Sequence, residues 1–155
     1  MVSPELLRRY PFFGIFDSEQ LNKIAMVSDE VTIPAGTKLF EECSQADELY
    51  LLIDGSVDLS YKSEEDFHPK TKKVFPVGEI NPEEVFGISS VLEPYEYNAT
   101  ALVSKESKVI KIDAASLRNA MKDDAKFGYA MMHQIAKATM ERLSYTRVQL
   151  AAAWA

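Results

Sequence analysis

The sequence is short of several residue types, and each shortage excludes something. A single cysteine, Cys43, in 155 residues rules out an internal disulfide framework, a four-cysteine zinc site and a four-cysteine iron–sulfur cluster. The two histidines, His68 in a charged stretch and His133 in the C-terminal third, fall in no metal-ligand spacing and cannot form the histidine cluster of a metal oxygenase. No apolar run approaches the roughly 18 residues that span a bilayer. Met1 is followed by a proline and two arginines, not by the apolar stretch of a signal peptide. The expectation is a cytoplasmic chain with no membrane contact and no metal. Basic residues are outnumbered, 17 against 24 acidic, for a net charge of −7. That field repels phosphate backbones, so this chain alone is not expected to bind nucleic acid. There is no glycine-rich phosphate loop and no nucleophile elbow, so catalysis has no visible apparatus and the chain is not expected to be an enzyme.

What is present is globular composition, 46% hydrophobic and 26% charged, at the size of one domain. Pro4 to Tyr10 reads as one or two helical turns, interrupted by Pro11-Phe12-Phe13-Gly14. Asp17 with Gln20 three residues on is a capping box, and Leu21, Ile24 and Ala25 continue a helix to about Val27. The period then changes to two. Glu30–Ile33, Thr37–Phe40, Glu48–Ile53, Ser56–Tyr61, Lys72–Val77, Asn98–Val103 and Lys108–Ile112 read as short strands. Gly36 and Asp54-Gly55 read as turns, Lys62 to Lys70 as an exposed hairpin loop, and Phe86 to Leu92 as a short segment between strands. Many short strands bounded by Gly and Pro predict a mainly β chain, an antiparallel roll or barrel with flanking helices.

The last third is helical. Asp113 can cap a helix to about Met121, and Asp123 or Asp124 a longer one from Ala125 onward. Met132, Ile135, Thr139, Leu143, Thr146 and Leu150 form one stripe of that helix. A helix of 25 residues is about 38 Å long, more than a small roll covers. The stripe can therefore dock on its own roll or on the same helix of a second copy, and a homodimer through it is the expectation. The chain divides into N-terminal helices (1–27), a β-roll (28–112) and C-terminal helices (113–155), with no second domain.

Several segments, taken in order, resemble the cyclic nucleotide-binding domain family. Tyr10-Pro11-Phe12-Phe13 before Leu21 is similar to its opening motif. Ile33-Pro34-Ala35-Gly36-Thr37-Lys38-Leu39-Phe40 is similar to its first turn and strand, and Ala46 to Val57 is the strongest piece. Val85-Phe86-Gly87 resembles the start of the phosphate-binding cassette, and Asn98-Ala99-Thr100-Ala101 its return to a strand. The resemblance implies a jelly-roll-like β-roll and a regulatory module. It places ligand contacts at Phe86, Gly87, Ile88, Ser89, Ser90, Tyr97, Asn98, Ala99 and Thr100.

At those contacts the chain departs from the family pattern. The glutamate that holds the ribose falls on Ile88, and the arginine that pairs with the cyclic phosphate falls on Tyr97. A glycine before the cassette appears as Glu83, and a turn glycine as Cys43. From Val74 to Ser104 there is no Lys, Arg or His, while Glu79, Glu83, Glu84, Glu93 and Glu96 contribute −5. A phosphate held there would lack a charge-assisted partner worth roughly 1.5–3 kcal/mol. Binding of cyclic AMP or cyclic GMP in the usual way is therefore disfavoured. Haem on His133 is disfavoured too, for want of a partner motif, and no cofactor is expected. The module is expected to answer to another small-molecule effector or to a protein partner. The alternatives are a sensor domain of a transcription regulator without its helix-turn-helix part, and a genuine cyclic-nucleotide or haem sensor with altered contacts.

Overall fold

The computed structural model describes residues 1–63 and 73–155, so most of the expected loop from Lys62 to Lys70 lies outside the described residues. Ser3 caps helix α1 (Pro4–Arg8), whose first position is a proline that has no N–H to lose. Pro11–Phe13 forms a single 3₁₀ turn. The capping box at Asp17 and Gln20 is closed in both directions and starts α2 (Ser18–Met26). Six strands follow among the described residues: β1 (Ser28–Ile33), β2 (Lys38–Phe40), β3 (Glu48–Ser63), β4 (Lys73–Ile80), β5 (Val85–Phe86) and β6 (Thr100–Asp113). Asp113 and Asp124 then cap α3 (Ala114–Asp123) and α4 (Ala125–Trp154) through their carboxylates.

The sheet is antiparallel, ordered β1-β6-β3-β4, with β2 also on β6 and β5 also on β3. Two expected strand breaks are absent. Asp54-Gly55 does not end a strand: β3 runs through it with register shifts between Leu52 and Val57. Gly55 has φ +113°, and a Cβ there would lie 2.1 Å from Ser107 Oγ and 2.6 Å from Ser107 Cα. The glycine lets two long strands cross closely at a bulge rather than reverse. The two strands expected at Asn98–Val103 and Lys108–Ile112 are likewise one strand, β6, and Asn98 and Ala99 precede it.

Alternation along the long strands separates two cores. Leu49 and Leu51 of β3, with Ile110 and Ile112 of β6, pack under the helices against Leu7, Phe13, Leu21, Leu117 and Phe127. Tyr50 and Leu52, with Val103 and Val109, point into the roll against Phe40, Phe86 and Tyr97. The first half of α4 is fastened to the helical core by Phe127, Met131 and Ile135, and Gln134 Nε2 donates to the Phe12 carbonyl at 2.7 Å. Lys23 ties α2 to the start of α4 through Asp124 at 2.9 Å.

Burial revises the expected dimer seam. Ile135 is 1% exposed and belongs to the chain's own core, so it cannot face a second copy. Met132 is half-buried, while Thr139, Leu143, Thr146 and Leu150 are exposed. The helical phase of Ile135 points at the domain, and a face turned away from it carries Tyr129, Ala136, Met140 and Trp154, with Leu143 and Leu150 at its edge.

Candidate functional site

The site is built where β5 meets β3. Phe86 pairs with Tyr50 across that ladder, and the chain then turns at Gly87, with φ +73° and ψ 30°. A Cβ on Gly87 would lie 3.1 Å from the Glu48 carbonyl oxygen and 3.3 Å from the Tyr50 ring, so the left-handed turn and the tight packing both favour glycine. Ile88–Val91 forms one 3₁₀ turn after it. Cys43 and Glu83, the two residues in place of expected glycines, adopt φ +66° and +75°, left-handed values.

Aromatic rings form the inner wall. Phe40 and Tyr97 stack with centroids 3.8 Å apart and planes 11° from parallel, and Tyr50 stacks on Phe86 at 5.1 Å. The Tyr97 hydroxyl is turned away from the cavity: it donates to the Glu48 carbonyl at 2.7 Å and accepts from the Glu48 N–H at 3.1 Å. Burial pushes the Tyr97 phenol up to about 12 and the Tyr50 phenol higher still.

The cavity enclosed here measures about 270 Å³. Seven of the nine expected contacts line it: Phe86, Gly87, Ile88, Ser89, Tyr97, Asn98 and Ala99. The other two serve elsewhere. Ser90 is fully buried with its carbonyl bonded by Arg118 at 2.6 Å, and its hydroxyl has no partner among the described residues. The Thr100 hydroxyl accepts the Glu42 N–H at 3.1 Å. Above Tyr95, Arg118 lies 4.1 Å from the ring, which holds the cassette loop to α3.

Sequence reasoning missed the outer wall. Thr139, Arg142, Leu143 and Thr146 of α4 close the cavity from above, so three residues expected at a dimer seam face the chain's own site. Arg142 is its one cation among the described residues, and it pairs with Glu84 at 2.8 Å. On the far side of Arg142 a larger cavity of about 420 Å³ runs between α4 and the Asn81–Glu84 turn. Its walls carry Glu83, Glu84, Glu141, Lys137 and Arg142, so opposed charges leave it no defined ligand preference. His133 is exposed and lines neither.

A family model for the cyclic nucleotide-binding domain matches residues 30–124. The chain belongs to this family. The crystal structure of a protein from Geobacter metallireducens GS-15, named there as a candidate cyclic nucleotide-binding protein, is 37% identical with a TM-score of 0.82, over 92% of this chain and 99% of that one. The N-terminal domain of a transcriptional regulator from Streptomyces coelicolor A3(2) is 25% identical, with a TM-score of 0.67 over 88% and 93% of the two chains. The sensor domain of the transcriptional regulator DNR from Pseudomonas aeruginosa shares the fold at 19% identity and a TM-score of 0.65, over 87% and 91%. A comparison with curated proteins returns no match. No described helix is long and apolar enough to cross a membrane.

Proposed function

We propose that this cyclic nucleotide-binding domain is a non-catalytic, cytoplasmic sensor module whose cavity has exchanged phosphate recognition for binding of a less polar effector. The observation that carries the reading is Tyr97. At the position the resemblance gives to the phosphate-pairing arginine, a ring is stacked on Phe40 and its hydroxyl is spent on the Glu48 backbone. A cyclic phosphate in this cavity would meet no cation from the cassette loop, and Glu84 already neutralises Arg142. Isothermal titration calorimetry with cyclic AMP, cyclic GMP and cyclic dinucleotides tests this, and no heat of binding is expected at about 100 μM ligand. A dissociation constant below about 10 μM for any of them would overturn the reading.

Read-out runs through α4, which closes the cavity and then continues outward. Thirty residues make it about 45 Å long. Tyr129, Met140, Leu150 and Trp154 are 75%, 65%, 58% and 84% exposed on its outer face. Pairing of that face with a second copy under two-fold symmetry would bury them, and Leu143 would touch both the partner helix and the cavity. A narrower reading, the sensor part of a transcription regulator, is favoured by the Streptomyces coelicolor relative. A DNA mobility-shift assay on the full-length gene product tests it, and absence of any specific complex would remove it.

A further inference from the structure

We infer that the cavity takes an aromatic monocarboxylate, its ring against the Phe40–Phe86–Tyr97 wall and its carboxylate on Arg142, an assignment that rests on the reading of the cavity given above. Size is the first argument. An apolar cavity of about 150 Å³ accepts benzene. At about 270 Å³ this one has room for a ring plus a short acidic arm.

Polarity is the second. Three of the groups that look polar in the sequence are consumed within the chain. The Tyr97 hydroxyl serves Glu48, and the Thr139 and Thr146 hydroxyls donate to the Ile135 and Arg142 carbonyls. With those hydroxyls spent, and with Ser89 and Asn98 as the remaining neutral polar lining, the wall offers mostly rings and aliphatic groups, which reward a flat apolar body.

Charge is the third. Arg142 is 23% exposed, so its field is screened less than that of a surface arginine. A guanidinium has five N–H donors. Here one nitrogen bonds Glu84 at 2.8 Å, and Nη1 makes a contact of 3.5 Å to the Glu79 carbonyl. At 3.5 Å that second bond is weak, so the guanidinium keeps capacity for a carboxylate, whose two oxygens match its fork. A cyclic phosphate carries one negative charge just as a monocarboxylate does, so the wall separates them rather than the charge: its rings suit a flat body better than a ribose with its hydroxyls. An acid bound to Arg142 also competes with Glu84, and Glu84 anchors the middle of α4 to the turn before β5. Occupancy and the position of α4 are thereby linked.

The test is calorimetry on the full chain at low salt with phenylacetate and its uncharged twin 2-phenylacetamide, with cyclic AMP alongside. Phenylacetate is expected to bind at least about tenfold more tightly than the amide. Arg142→Gln should remove that ratio while leaving amide binding in place, which also reports that the variant is folded. Glu84→Gln, which frees the guanidinium, should strengthen phenylacetate binding several-fold. Equal affinity for acid and amide, an acid preference that survives Arg142→Gln, or no binding of phenylacetate at about 5 mM would each overturn the assignment. Amide binding equal to acid binding would leave the loss of phosphate recognition standing, whereas tight cyclic AMP binding would bring down that reading as well.

Discussion

Replacing Tyr97 by phenylalanine separates the ring from its hydroxyl. The stack on Phe40 survives, and so does the shape of the cavity wall. What disappears is a pair of bonds to one backbone unit, 2.7 Å to the Glu48 carbonyl and 3.1 Å from the Glu48 N–H. At about 1 kcal/mol net for each bond, the loss comes to about 2 kcal/mol. For a chain of this size that corresponds to a fall of roughly 4–8 °C in melting temperature. The pH dependence gives an independent reading. Burial holds the Tyr97 phenol at about 12 in the folded state, above its ordinary value of 10.0. A group whose pKa is raised on folding stabilises fully below its unfolded value and loses that contribution as pH climbs through the folded one. Wild type should therefore lose stability between pH 10 and 12 more steeply than Tyr97→Phe. Urea unfolding followed by circular dichroism at pH 8 and at pH 11 measures both effects. A variant within about 0.5 kcal/mol of wild type at pH 8 would refute the hydroxyl's structural role, because surface-like substitutions fall in that range.

Gly55→Ala should cost about 2–4 kcal/mol, since the new Cβ would collide with Ser107 backbone as well as force φ +113° on a residue with a side chain; thermal unfolding near wild type would show that the strand crossing relaxes. Lys23→Met should lower stability at neutral pH but not at about pH 2, because the ammonium holds the Asp124 carboxyl below its ordinary value and that contribution vanishes as the carboxylate is protonated; unfolding curves that differ equally at both pH values would refute the pair. Light scattering at tens of micromolar should give a mass near twice 17.4 kDa, and Met140→Glu should reduce it to one copy; a wild-type monomer would remove the helix-paired dimer.

The helices were legible because their signals are local. The Asp17–Gln20 box, the Asp113 cap and the Asp124 cap each act within one turn, and each forms where the spacing places it. The strands were legible by period but not by continuity. Asp54-Gly55 has the chemistry of a reversal, and only the approach of Ser107, 52 positions along the chain, decides that it becomes a bulge. On the cassette side, Phe86 to Ser89 and Tyr97 to Ala99 come together at one cavity because a single short loop joins them, so their proximity follows from local sequence.

Arg142 was not readable, and the reason bears on how the site works. Its neighbours on α4 read as a seam because Thr139, Leu143 and Thr146 share a helical stripe with Ile135, and periodicity cannot say which surface a stripe meets. Packing decides it: the Phe127, Met131 and Ile135 contacts set the rotation of α4, and that rotation carries Arg142 over the cavity. A contact chosen by rotation is also sensitive to rotation. On a helix radius near 2.3 Å, a turn of about 20° moves a backbone atom by less than 1 Å, while the tip of an extended arginine travels several times farther from the axis and moves proportionately more. The 2.8 Å bond to Glu84 is thus the contact most exposed to any shift of α4, and the outer face carrying Met140 and Leu150 turns through the same angle. On the proposals made above, ligand chemistry at Arg142 and helix pairing outside it are two readings of one rotation.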